Sequence, residues 1–182
     1  RFTQMIIAVI PAKGESRRLK NKNIKKVNNK PLLYWSVKLA EKSKLINKIF
    51  ISTDSTKIQN LSKKMNIEII KRSKKLGGET PIIDVYKHAY NILSKKFKID
   101  AIIGLQPDHP DRKNTADKVI TIFNKGKLDE LFTYDKKRKQ NGAYYIISKK
   151  VLTGGNSIKQ KKILDDCTNF HFLKDLKKAE KN

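Results

Sequence analysis

Met5-Ile6-Ile7-Ala8-Val9-Ile10 runs without a break into Pro11-Ala12-Lys13-Gly14-Glu15-Ser16-Arg17-Arg18-Leu19-Lys20-Asn21-Lys22-Asn23. A continuous apolar run of this length predicts a strand buried on both faces, as in a parallel sheet. The turn that follows offers backbone N–H groups, the Ser16 hydroxyl and several cations, which is the chemistry of a phosphate cradle. On chemistry alone the turn has two readings, a phosphate cradle or a solvated basic loop. It lacks the G-x-x-x-x-G-K-[ST] spacing of a P-loop and the G-x-G-x-x-G spacing of a dinucleotide site.

Outward from this stretch, strand and helix patterns alternate. Pro31 is expected to open a helix, since its missing N–H costs nothing there, with Leu32, Leu33, Ser36, Leu39 and Ala40 on one face. Lys48–Ser52 reads as a strand, Ser55–Lys64 as a helix and Ile67–Ile70 as a short strand. Thr80-Pro81 reads as N-cap and first helical residue, and Ile82, Tyr86, Ala89 and Leu93 share the face that follows. Ala101–Leu105, Leu128–Tyr134 and Ala143–Ser148 read as strands, Thr115–Asn124 as a helix, and Leu173–Glu180 as a last helix. Alternation of this kind predicts an α/β fold, a mostly parallel sheet with helices on both faces. Right-handed crossovers then bring Lys13–Asn23, Thr53-Asp54 and Gln106–Arg112 to one edge.

The 182 residues read as one domain over 5–182, with Arg1-Phe2-Thr3-Gln4, which precede the first Met, set aside. One cysteine excludes an internal disulfide framework. No apolar run suits a bilayer and no secretory signal is visible, so a cytoplasmic protein without membrane contact is expected. The net charge of +25 fits either nucleic-acid binding or a lysine-rich compositional bias. The lysines are spread along the whole chain, with no stripe of interleaved aromatics, and this favours bias and solvation. The charge still attracts polyanions such as a nucleoside triphosphate.

The opening loop, followed by Lys30-Pro31-Leu32, resembles the signature of the CMP-sialic acid synthetases (acylneuraminate cytidylyltransferases), P-A-R-G-G-S-K-R-I-x-x-K-N and then G-K-P-L. The match over this loop has no gap, and the likeness continues through Ser52-Thr53-Asp54, Arg72-Ser73, Thr80, Asp84, His88-Ala89, Leu105-Gln106-Pro107, Pro110, Arg112 and Asn141–Ile146. It implies a Rossmann-like fold of the nucleotide-diphospho-sugar transferase type. It implies transfer of CMP from CTP to an acidic or modified sugar for a surface glycan, with release of pyrophosphate. It also implies roles for named residues. Ala12 and Gly14 would offer N–H groups to the triphosphate and Ser16 a hydroxyl. Lys13, Arg18 and Lys22 would offset charge on the leaving pyrophosphate. Asn23 would orient the nucleotide, and Arg72 and Thr80 would surround cytosine and ribose. Gln106, His109 and Arg112 would read the acceptor, Arg112 through a carboxylate or phosphate.

The chain departs from that pattern at several points. Lys13 stands for an arginine, and Glu15 for a glycine. Asp108 is similar to the metal-binding aspartate of the CMP-Kdo synthetases, which makes it the candidate ligand for Mg2+. The family's C-terminal D-I-D-x-x-x-D falls on Asn169–Asp175 with two aspartates replaced, so Asp165, Asp166 and Asp175 are the reserve candidates. The stretch from Lys113 to Gln140 is short where the family carries its dimer insertion, so a homodimer is not transferred. Asp54 is read as a helix cap, and Asp84 with His88 as a stabilising i,i+4 pair. Two other readings stand beside the transferase: a nucleotide-binding relative without catalysis, and a basic nucleic-acid-binding protein.

Overall fold

The computed structural model describes residues 4–14, 21–77, 80–170 and 175. In chain order its first elements are β1 (Ile6–Pro11), a 3-10 turn (Lys22–Ile24), β2 (Lys26–Val27), β3 (Lys30–Pro31), α1 (Leu32–Glu41), β4 (Lys48–Thr53), α2 (Thr56–Lys64) and β5 (Glu68–Lys71). A second 3-10 turn (Lys74–Leu76), α3 (Ile82–Leu93), β6 (Ala101–Gly104), α4 (Ala116–Gly126), β7 (Glu130–Tyr134), β8 (Gln140–Ser148), α5 (Lys149–Leu152) and β9 (Gln160–Leu164) follow.

Among the described residues a seven-stranded sheet runs in the order β5-β4-β1-β6-β8-β7-β9. β1 lies between β4 and β6 and is parallel to both, and β5 is parallel to β4. Only β8 runs against its neighbours. The alternation along β1 builds two cores. Ile6, Ala8 and Ile10 face a layer that holds Leu33 and Val37 of α1, Ile58 of α2, and Val119 and Phe123 of α4. Ile7 and Val9 face Tyr86, Ala89 and Leu93 of α3 and Val151 of α5. Every residue of β1 is therefore buried, which is why the run needs no polar position.

Three parallel strands of this order put the ends of β1, β4 and β6 on one edge, as expected from the crossovers. Several element starts differ from expectation. α1 begins at Leu32, with Pro31 in the cap position and paired to Lys26 in a small hairpin. Asn28 and Asn29 both have positive φ (48° and 59°), the two-residue turn that matches strand twist. Thr80 does not cap α3, which starts at Ile82 after Pro81. Its hydroxyl instead donates to Lys75 O and Gly77 O, closing the preceding loop. Thr115 does cap α4, accepting from Lys118 N.

Strand β9 was not foreseen. Its sequence, Gln160-Lys161-Lys162-Ile163-Leu164, lacks apolar alternation because among the described residues it is an edge strand paired with β7 alone. The helix expected over Leu173–Glu180 lies outside the described residues, apart from Asp175, which is helical. No described helix is long and apolar enough to cross a membrane.

Candidate functional site

The edge where β1, β4 and β6 end gathers most of the residues singled out above. Ala12 is fully buried and its N–H continues the sheet by donating to Ser52 O at 2.9 Å. Gly14 N donates to Asp54 Oδ1 at 2.7 Å. A Cβ on Gly14 would stand 2.7 Å from Ser55 Cβ, so only glycine lets the loop lie this close to the end of β4. The N–H groups of Ala12 and Gly14, expected to meet phosphate, are thus already bonded within the protein. Asp54 is not the cap of α2, whose cap position is Ser55. It anchors the first loop, because a carboxylate accepts well from a backbone N–H at a tight turn.

Beyond the loop, Asn21 adopts a left-handed conformation (φ 56°) and starts the turn that carries Lys22 and Asn23. Asn23 Nδ2 donates to Lys13 O at 2.8 Å and ties that turn back to β1. Lys13, Gly14, Asn21, Asn23, Ser55 and Lys57 line a shallow cleft here. Ser16 and Arg18, expected in the same cradle, lie outside the described residues.

Lys22 reaches across the edge to the loop after β6. Its Nζ donates to Asp108 Oδ2 at 2.5 Å, across 86 positions of sequence. Both side chains are largely buried, at 10% and 13% exposure. The pair unites the candidate phosphate-binding lysine with the candidate metal ligand. Among the described residues, no group of three or more His, Cys, Asp or Glu side chains forms a metal cage. A single carboxylate beside a cationic cleft suits a hard cation that takes its other ligands from phosphate oxygens, so Asp108 fits magnesium of that kind.

The rest of the Gln106–Arg112 loop has a different character. Arg112 is half-buried and donates from Nε to Ala143 O at 2.7 Å, from Nη1 to His109 O at 2.5 Å and Ser36 Oγ at 3.1 Å, and from Nη2 to Gln106 O at 2.6 Å. Its guanidinium also lies over the Tyr144 ring. Burial pushes its pKa down. His109 is 1% exposed. Its Nδ1 meets Thr168 O at 2.9 Å and its Nε2 accepts from Gly142 N at 3.1 Å, which assigns the proton to Nδ1. Burial and the neighbouring Arg112 hold its pKa down at about 4. Both residues, expected to read the acceptor, are instead the internal frame of the loop. Gln106 differs: its backbone is bound by Arg112 and Gly142, while its side-chain amide fills the space over Gly142, where a Cβ would stand 2.2 Å from Gln106 Cδ.

A strap from the C-terminal part of the chain clasps this loop. Asp165 is fully buried and accepts from Lys113 N, Asn114 N and Asn114 Nδ2. Thr168 donates through N and Oγ1 to Asp111, and Phe170 N donates to Asp108 O at 2.9 Å. Phe170 then packs with Val27, Leu32 and Trp35. Two reserve metal ligands are therefore engaged otherwise, Asp165 as a loop anchor and Asp166 in an ion pair with Lys136 at 2.9 Å.

On the α3 face of the same edge, several polar atoms are buried without partners among the described residues: Ser52 Oγ, Arg72 Nε, Tyr86 Oη and His88 Nδ1. Arg72 N is held by Thr53 O, and burial pushes its guanidinium pKa down while Asp54 opposes this. The expected Asp84–His88 pair does not form. Burial and then Arg72 push the His88 pKa down. Tyr86, read at helical spacing as a core residue, and the contacts of Thr168 and Phe170 with the Asp108–Asp111 loop had no signal in the sequence that marks them as part of this edge.

The site is thus a set of cationic side chains with the carboxylates of Asp54 and Asp108 at the ends of the central strands of a mostly parallel α/β sheet. Comparison with known proteins gives the family: residues 7–133 match the cytidylyltransferase family, and the chain belongs to it. It is 35% identical over 134 residues to post-translational flagellin modification protein B of Campylobacter coli, covering 70% of this chain and 57% of that protein. It is 30% identical over 111 residues to N-acylneuraminate cytidylyltransferase of Escherichia coli, covering 60% of this chain and 26% of that protein. The chain thus spans about half the length, or less, of these curated relatives. Its fold matches the structure of CMP:2-keto-3-deoxy-manno-octonic acid synthetase complexed with CTP, with a TM-score of 0.77, 13% identity and 98% of each chain covered.

Proposed function

We propose that the chain activates an acidic, nonulosonate-like sugar by transferring CMP to it from CTP, for a surface glycan. The observation that carries this reading is the contact of Lys22 with Asp108 at the end of the central strands, in a member of the cytidylyltransferase family. In the reaction a sugar hydroxyl oxygen attacks the α-phosphorus. The bond to the bridging oxygen breaks, pyrophosphate leaves with the bonding pair, and the hydroxyl proton passes to solvent or base. Such in-line transfer depends on positioning and on neutralising charge, with little covalent work for the protein. Lys22, Lys13 and Arg18 would take the charge of the leaving group, Ser16 and Asn23 would hold the nucleotide, and Arg72 and Thr80 would flank its base and ribose. Magnesium, when bound by Asp108 and phosphate oxygens, supplies Lewis-acid polarisation and charge neutralisation. The Gln106 amide, with no hydrogen bond from its side chain among the described residues, is the group of its loop left to meet the acceptor.

The likeness to an N-acylneuraminate cytidylyltransferase supports an acidic acceptor sugar over a neutral one. The test is pyrophosphate release from CTP and magnesium across a panel of acidic and neutral sugars, with UTP, ATP and GTP as controls. The expected result is turnover with CTP and an acidic sugar. CTP-induced thermal stabilisation without turnover on any acceptor would instead support a nucleotide-binding relative, the reading favoured by the two aspartates replaced over Asn169–Asp175. A soluble cytoplasmic location accords with an enzyme that consumes CTP.

A further inference from the structure

We infer that Lys22 occludes the cation position at Asp108 until a polyphosphate draws it away, so that nucleotide and divalent cation bind cooperatively and Lys22 is the coupling element. The inference rests on the reading of this edge as a CTP and magnesium site. Lys22 Nζ stands 2.5 Å from Asp108 Oδ2, with both side chains mostly removed from solvent. Magnesium requires oxygen ligands at about 2.0–2.1 Å in near-octahedral array. An ammonium in contact with the carboxylate takes one of the two oxygens and repels a second cation at short range.

The backbones on both sides are held. Asn23 Nδ2 bonds Lys13 O, and Lys25 N bonds Lys22 O, so the turn bearing Lys22 is closed. Phe170 N bonds Asp108 O, and the next residue, His109, is pinned by Thr168 and Gly142. The mobile part is the lysine stem, a flexible four-carbon chain ending in a point charge. A triphosphate gives that charge a second anionic partner. It also supplies the oxygens that one carboxylate lacks. Release of Asp108 and completion of the cation site are then one event, and by linkage each ligand raises affinity for the other equally.

The test uses the nucleotide-free full chain and Mn2+ as the probe, with binding read by electron paramagnetic resonance and folding by thermal melts. Lys22→Gln is expected to bind Mn2+ at least about tenfold more tightly than the wild type, within the usual range of coupling. The gain should vanish in Lys22→Gln/Asp108→Asn. Lys26→Gln, which removes an exposed charge from the adjoining hairpin, should leave Mn2+ affinity unchanged. Equal affinity of wild type and Lys22→Gln would overturn the inference, as would a gain that survives in the double variant or is matched by Lys26→Gln. In a second arm, CTP is titrated in EDTA. Asp108→Asn should bind it more tightly than the wild type, and weaker or unchanged binding counts against the exchange. Failure of the wild type to bind CTP at all, with or without magnesium, would overturn the functional reading and the nucleotide half of the inference. The Mn2+ comparison needs no nucleotide and decides the occlusion by itself.

Discussion

Two loops meet at the same edge of the sheet and are built on opposite plans. The loop after β1 lines a cleft with Lys13, opposite Lys57 of α2, and anchors itself through uncharged backbone donors to Asp54 and Ser52. The loop after β6 carries an arginine and a histidine of equal chemical promise, yet turns both inward, onto Ala143, Gln106, Ser36, Gly142 and Thr168. Asp108 of that loop instead meets the first loop's Lys22. A charged residue at the right end of the right strand is therefore not by itself a ligand group. What separates binding from framework is whether the local backbone leaves carbonyls that the side chain must satisfy, since buried carbonyls without donors are costly.

The comparison can be broken by measurement, starting with the largest effect. Arg112→Met should lower unfolding free energy by about 4 kcal/mol, roughly 1 for each hydrogen bond lost, as read by chemical denaturation. A variant that melts normally but shows a raised KM for the sugar would move Arg112 back to the acceptor. Next, Lys22→Ala should reduce turnover by about 10²–10³-fold, the scale of removing one preorganised charge donor. Unchanged turnover would place Lys22 with the framework.

His109 sharpens the contrast through pH. Its folded pKa of about 4 lies below the ordinary 6.5, so the unfolded chain binds the extra proton between those values. Stability from this group is whole above about pH 6.5 and falls as pH drops toward 4, by roughly 3 kcal/mol in total. His109→Asn should flatten that part of the stability profile, and an identical profile in wild type and variant would remove His109 from the buried frame. The smallest effect is expected at Thr115, which caps the helix leaving the clasped loop. Thr115→Ala should cost about 1 kcal/mol, without change in the KM for CTP. A changed KM would show that the framework side transmits to the cleft.

Much of the fold was legible from local pattern. The apolar run of β1 and the face shared by Ile82, Tyr86, Ala89 and Leu93 are properties of short windows, and both are present. The hairpin at Asn28-Asn29 carried a signal too, since asparagine tolerates positive φ. β9 carried none, because an edge strand with one partner needs no apolar alternation. At the site, resemblance to the family put the right residues on the right edge. It did not reveal that Ala12 and Gly14 have their N–H groups engaged, or that Asp165 anchors a loop.

The order of residues along the chain was sufficient for the parallel α/β architecture and for the edge on which polar chemistry collects. Strand periodicity is local, and crossover handedness leaves little choice of topology. Which charges stay available was decided only in three dimensions. Lys22 meets Asp108 across 86 positions, and the strap at Asp165–Phe170 reaches back more than fifty positions to hold Asp108, Asp111 and Lys113. Those pairings follow from burial and from the need to satisfy each enclosed polar group, conditions that do not exist until the sheet has closed.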